Sequence, residues 1–389
     1  MNRRTFFALP GAGLVLPPAG AAQAQTKRPR VAAILNAYYP DSHADVFMGR
    51  LLGGYRLNGK SYQPRVEVAS LYVDQFPLKD MAREQAEEYG IKIYPTVAEA
   101  LRLGGKTLAV DGVATIGEHG VYPRTPRGNF QYPRYRYFEQ VTQVFREDHR
   151  VVPLYNDKYF AYDWADARRM YVTVRQMKIP FMAGSTVPLT WRRPALEFPQ
   201  GIHLKEALSV SYSDLEEHTY HAIELLQAMV ERRAGGETGI QSIRCVEGPE
   251  VWAMADRGEW SRALLDAALA KRVNKVEEDR SIPPQAIFIK YRDGLRATVL
   301  NLNGFTRDYL FAASEVDRAE PQACCAYIQL YNHNHWSFMV RNFEELILNG
   351  TIPNPAERTL MATGILLFGL ESRLQGQQWL LTPELSIRY

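Results

Sequence analysis

The chain has 389 residues, of which 46% are hydrophobic and 23% charged, and its formal net charge is +3. That length suits two globular domains better than one core. Its basic residues are spread along the chain without a dense Lys/Arg block, which argues against a nucleic-acid partner. Past the N-terminus no apolar run reaches about 18 residues, so no transmembrane helix is expected. The three cysteines, Cys245, Cys324 and Cys325, make neither a disulfide framework nor a Cys-x-x-Cys zinc motif, and read as small buried apolar residues.

The chain opens Met1-Asn2-Arg3-Arg4-Thr5-Phe6-Phe7, a paired arginine followed by aromatics, as in a twin-arginine export signal. A short, weakly apolar stretch follows. Ala22-Gln23-Ala24 then offers a small-x-small cleavage site. The expectation is a signal peptide over 1–24, handled by the twin-arginine export machinery. It would give a periplasmic or secreted mature chain starting at Gln25, with no membrane association after cleavage.

From residue 30 the pattern alternates. Segment 30–35 (RVAAIL) is an apolar run suited to a buried parallel strand. A polar loop 36–45 follows, and Asp45 is expected to cap a helix over 46–55. Strand 65–73 ends at Asp74, and helix 79–89 stops at Gly90. A short strand 91–94 leads to Thr96, the predicted cap of helix 97–103. Strand 108–116, helix 137–146, strand 151–155, helix 164–177 and strand 179–183 continue the alternation. Repeated βαβ units predict an α/β, Rossmann-like doubly wound parallel sheet over 25–190. Ligands bind beyond the C-terminal strand ends of such sheets. Asn36, Asp74, His119 and Asn156-Asp157-Lys158 fall there.

After Trp191-Arg192-Arg193-Pro194 the character changes. Segment 204–212 reads as a strand. Segment 214–233 is a helix on the spacing of Ile223, Leu226, Met229 and Val230. Segments 243–247 and 251–254 look strand-like, 285–302 is a hairpin around Asp293-Gly294, and 309–313 and 323–331 add strands. Helices are predicted over 336–348 and 355–374. This makes 191–389 an α+β domain with an open, mostly antiparallel sheet.

The ordered series resembles the glucose–fructose oxidoreductase and inositol dehydrogenase family. Glu87-Glu88-Tyr89-Gly90 with Ile93-Tyr94-Pro95-Thr96-Val97-Ala98-Glu99-Ala100-Leu101 is similar to that family's third βα unit. Asp111-Gly112-Val113-Ala114-Thr115-Ile116, with His119 after it, resembles its fourth strand and loop. Asn156-Asp157-Lys158 sits where the family carries Glu-Lys-Pro. His221 and Glu224, within His218-Thr219-Tyr220-His221-Ala222-Ile223-Glu224, resemble its His-x-x-Asp motif. The resemblance implies NAD or NADP held by Asn36, Asp74, His119, Asp157 and Lys158. It also implies a sugar or polyol hydroxyl as substrate, and a homo-oligomer built through the open sheet. The i, i+3 spacing puts Glu224 and His221 on one helical face, where the carboxylate would orient the imidazole as general acid/base and Lys158 would polarise the same oxygen.

Two departures stand out. In place of the family's Gly-x-Gly-x-x-Gly, this chain has Asn36-Ala37-Tyr38-Tyr39-Pro40-Asp41-Ser42-His43-Ala44, and Asp41 and Asp45 would repel a pyrophosphate. Tyr159 replaces the proline. The leading expectation is an exported oxidoreductase that transfers hydride between a tightly held nicotinamide and a sugar or polyol. The alternative is a cofactor-free sugar-binding or regulatory protein on the same scaffold. A metal-assisted lyase or hydrolase around His218 and His221 is a third reading, and His333-Asn334-His335 reads as a polar loop rather than a metal site.

Overall fold

The computed structural model describes residues 27–274, 276–279 and 281–389. The export signal expected over 1–24 lies outside them. No helix among the described residues is long and apolar enough to cross a membrane.

Six strands form the first sheet: β1 (Arg30–Leu35), β2 (Glu67–Val73), β3 (Lys92–Ile93), β4 (Gly112–Ile116), β5 (Leu154–Asp157) and β6 (Phe181–Gly184). They are all parallel, in the order β3-β2-β1-β4-β5-β6. This is the strand order of a doubly wound dinucleotide-binding sheet, with its switch point between β1 and β4. Helices α1 (His43–Gly53), α2 (Ala82–Glu88), α3 (Val97–Arg102), α4 (Arg134–Glu147) and α5 (Trp164–Met177) cover both faces. Thr96 caps α3 as expected. The cap of α1 is Ser42, whose side chain accepts the Asp45 N–H, so the helix starts three residues before the predicted point.

The second sheet comprises β7 (Trp191–Arg193), β8 (Leu204–Ser211), β9 (Ile240–Glu247), β10 (Gln285–Tyr291), β11 (Arg296–Asn301), β12 (Tyr309–Glu315), β13 (Gln322–Tyr327) and β14 (Leu380–Leu381). Their order is β14-β9-β10-β11-β8-β12-β13-β7, antiparallel except for the β8–β11 pair. Helices α6 (Glu217–Val230) and α10 (Ala356–Leu374) pack on one face. On the other face lie α7 (Pro249–Asp256) and α8 (Arg262–Leu269), contributing Val251, Met254, Leu264 and Leu265 to a core with Trp260, Leu208, Phe288 and Leu310. The face expected to serve self-association therefore carries two helices, one of which occupies the segment read as strand 251–254. Cys245, Cys324 and Cys325 are free and buried.

One helix crosses back. Helix α9 (Trp336–Asn349) brings Trp336, Met339, Val340, Phe343 and Leu346 into the core shared by β1 and α1. Buried Glu344 fixes it there, accepting from the Tyr55 hydroxyl at 2.7 Å, the Arg65 backbone N–H at 2.7 Å and the Arg65 guanidinium at 3.0 Å. The segment preceding α9 is thereby held over the ends of β1 and α1.

Candidate functional site

The C-terminal ends of β4, β5 and β6 face the first turns of α6 across a cleft of about 300 Å³. Its walls include His43, Glu118, His119, Lys158, His218 and His221. A hollow of about 410 Å³ beside α3 and α4 is larger but gathers no comparable set of titratable groups.

The electrostatic centre is a buried knot. Glu118, just past β4, receives Lys158 Nζ on Oε1 at 2.8 Å and the Arg134 guanidinium on Oε2. All three side chains are buried. Burial by itself raises the Glu118 carboxyl, but the Lys158 ammonium and the Arg134 guanidinium outweigh it and hold it well below the usual carboxylate range. The departure at Tyr159 has a packing reason: Arg134 lies 3.9 Å over its ring. Lys158 has a left-handed backbone, φ 61°, and its N–H bonds the Gly184 carbonyl at 3.2 Å.

His221 and Lys158 line the same cleft, as expected, but Glu224 does not reach the imidazole. Its Oε2 accepts the Ser185 backbone N–H, and Oε1 receives the Thr359 hydroxyl at 3.0 Å. The imidazole's Nδ1 meets Ser185 Oγ at 2.5 Å instead. Glu224 and the imidazole thus meet through Ser185 and not directly, which corrects the expected direct pairing. Its geometry depends on Gly184. With φ 120°, that residue leaves room for Glu224, whose Oε1 would stand 2.3 Å from an added Cβ. Gly184→Ala should therefore lower stability by at least about 2 kcal/mol, through overpacking and a disallowed backbone. A urea midpoint matching wild type would refute the tight fit.

Two further histidines complete the walls. His218 Nδ1 bonds the Tyr309 hydroxyl at 2.9 Å. His43 Nδ1 lies 2.6 Å from Asp157 Oδ2, and the Tyr155 hydroxyl donates to Asp157 Oδ1 at 3.1 Å. Burial pushes His119 and His218 down to about 4 and His335 down to about 3, and holds His221 well below the ordinary histidine value. Among the described residues no three His, Cys, Asp or Glu side chains are placed to hold a metal ion, which leaves the metal-assisted reading without a ligand set.

Two of the predicted cofactor contacts, Asn36 and Asp74, are engaged elsewhere. Asn36 donates to the His119 carbonyl at 3.1 Å and accepts from the Tyr137 hydroxyl at 2.7 Å, tying the β1 end to the loop after β4. Asp74 receives the Tyr72 hydroxyl at 2.8 Å, the Tyr122 hydroxyl at 2.6 Å and Arg136 at 2.7 Å. Gln75 grips Val121 on both its N–H and its carbonyl, at 2.8 and 3.0 Å. The loop after β4 is thus fastened to the end of β2, on the side where an adenosine ribose would bind in such a sheet. At the α1 N-terminus Asp45 accepts the Asp41 N–H at 2.9 Å, so a carboxylate stands where a pyrophosphate needs free donors. Tyr38 is fully buried in the glycine loop's place. These residues do not fit a dinucleotide held in the usual way.

Sequence reasoning missed His43, Glu118 and Ser185 as site residues. Each is an ordinary polar residue locally, and only the C-terminal ends of the parallel strands bring them together.

No family model and no curated protein matches the sequence. Solved structures do match by shape. Apo scyllo-inositol dehydrogenase from Lactobacillus casei superposes with a TM-score of 0.58 at 10% identity, covering 91% of this chain and 98% of that one. GenD2 from gentamicin A biosynthesis, solved in complex with NAD, gives 0.55 at 11% identity over 94% and 99%. A myo-inositol dehydrogenase from Corynebacterium glutamicum gives 0.55 at 11% identity over 91% and 98%. The sheet order, the second domain and these likenesses together give the chain the two-domain fold of the glucose–fructose oxidoreductase and inositol dehydrogenase family.

Proposed function

We propose that the interdomain cleft binds a small sugar or polyol and handles its protons, and that the chain does so without a nicotinamide dinucleotide. The observation that carries this reading is the occupied cradle. The Asp45 carboxylate stands at the α1 N-terminus and Asp74 is satisfied by the protein's own groups, while Lys158 and His221 still line the cleft. Neutral imidazoles beside an ammonium suit hydroxyl and carbonyl oxygens, which need both acceptors and donors. An exported chain in the periplasm or outside the cell, as the Arg3-Arg4 signal suggests, would also meet little free cofactor.

The second reading, a nicotinamide-dependent sugar or polyol oxidoreductase, is favoured by the fold and by the NAD bound to GenD2. It requires the loop after β4 to release Asp74. One mass-spectrometric measurement on exported protein separates the two. Intact mass should place the N-terminus at Gln25, and denaturation should release no dinucleotide. Release of NAD or NADP would instead establish the oxidoreductase reading, and an N-terminus at Met1 would remove the export proposal.

A further inference from the structure

We propose that His43 and Asp157 form a general-base dyad that removes a proton from the carbon beside the carbonyl of a small polyhydroxy ketone or aldehyde bound in the cleft. This rests on the proposed sugar or polyol binding there. The dyad is built from distant elements, the first residue of α1 and the last of β5. Asp157 is buried and faces His43 Nδ1 at 2.6 Å, while the His43 side chain keeps 16% of its surface exposed. The carboxylate fixes the proton on Nδ1, so the lone pair sits on Nε2. No hydrogen bond among the described residues engages that nitrogen. The ring is wedged edge-on between Trp336 at 4.6 Å and His119 at 5.0 Å, and lies 6.4 Å from His221 between centroids. Such a wedge limits its rotation.

The histidines around it differ. His218 bonds a phenol and His221 a serine hydroxyl, whereas His43 bonds a buried carboxylate. His333 also meets a carboxylate, that of Asp41 at 3.3 Å, but Asp41 is largely exposed. Next to Asp157, Lys158 takes the left-handed backbone conformation, a costly state for a lysine. Its ammonium spends one of three donors on Glu118 and makes no other hydrogen bond among the described residues. A base for the carbon-bound proton and a cation for the developing oxyanion are the two requirements of enolisation.

In the step, His43 Nε2 takes the proton, the C–H electron pair becomes a C=C bond, and the carbonyl π pair moves to oxygen opposite Lys158. Return of a proton from His43 to carbon restores the carbonyl. The sequence is redox-neutral and needs no co-reactant.

The test uses the full mature chain in D2O with an inosose and D-fructose as probes. Proton NMR follows loss of the C–H signal beside the carbonyl, and saturation-transfer NMR follows binding. Wild type should exchange that hydrogen far above the buffer rate. His43→Gln and Asp157→Asn should each lose about 10²–10⁴-fold of the exchange while still binding the probe. If Asp157→Asn does not fold, His43→Gln carries the comparison. Binding without exchange in wild type, or full exchange in both variants, would overturn the dyad and leave the binding reading standing. Failure of both probes to bind would overturn both.

Discussion

Replacing Glu118 by alanine should cost about 3–5 kcal/mol, the usual penalty for removing one partner from a buried ion cluster. Glu118 is the only carboxylate bonded to Lys158 Nζ among the described residues, and it also neutralises Arg134. Both cations are buried, and of the two Lys158 alone borders the cleft, so Arg134 cannot turn to water. Among the described residues Arg134 has two further guanidinium nitrogens without hydrogen-bond partners, so no second acceptor there replaces Glu118. The loss should also be independent of pH across the neutral range. A carboxyl whose folded value is depressed contributes its stability fully above its unfolded value of about 4.5, and loses it only as pH falls towards the folded value. Urea titrations of Glu118→Ala at pH 6 and pH 8 should therefore show the same large deficit. A deficit below about 1 kcal/mol would mean that water enters and screens the knot.

Much of the scaffold is legible locally. The apolar run 30–35 and the 164–177 helix need only neighbours in sequence to declare themselves, and both appear at the predicted bounds. Segment 251–254 within α7 looks strand-like in sequence because it is too short a run to show a period, although Pro249 directly after Gly248 is a helix-start signal. Helix α8 had its cap, Ser261, in plain sight. The site was less legible. Helical spacing rightly groups His221 with Glu224, but it does not say what the face meets. Gly184, about 40 residues earlier, decides that Glu224 grips the β6 end. The His43–Asp157 contact spans 114 positions, and no local pattern encodes such a pairing. The missing glycine loop was the one strong site signal in the sequence. Its physical consequence at Asp74, satisfied in part by Tyr122, needed the loop after β4 in place.

The same cleft should make the protein acid-labile between about pH 6.5 and 4. His119, His218 and His335 are held neutral chiefly by burial, at about 4, 4 and 3. A base whose folded value is lowered binds fewer protons folded than unfolded in this window, so stability falls as pH falls. A shift of that size corresponds to about 3 kcal/mol for each of His119 and His218. With His335 the sum is comparable to a whole folding free energy. Two buried carboxyls oppose the trend. Burial raises Glu216 and Glu224 to about 7, so their contribution is greatest below about pH 4.5 and is lost as pH rises through 7. The balance predicts a stability maximum near pH 6–7, where the histidines are neutral and the carboxyls only partly ionised. His335→Gln isolates one contributor. His335 Nδ1 has no hydrogen-bond partner among the described residues, so the amide loses little at pH 7.5. At pH 5 the variant should be the more stable protein, because it lacks the imidazole that is protonated when unfolded and must give up that proton on folding. Urea midpoints at the two pH values read the difference directly. An equal acid loss in variant and wild type would show that His335 titrates freely and that the cleft is wetter than its packing implies.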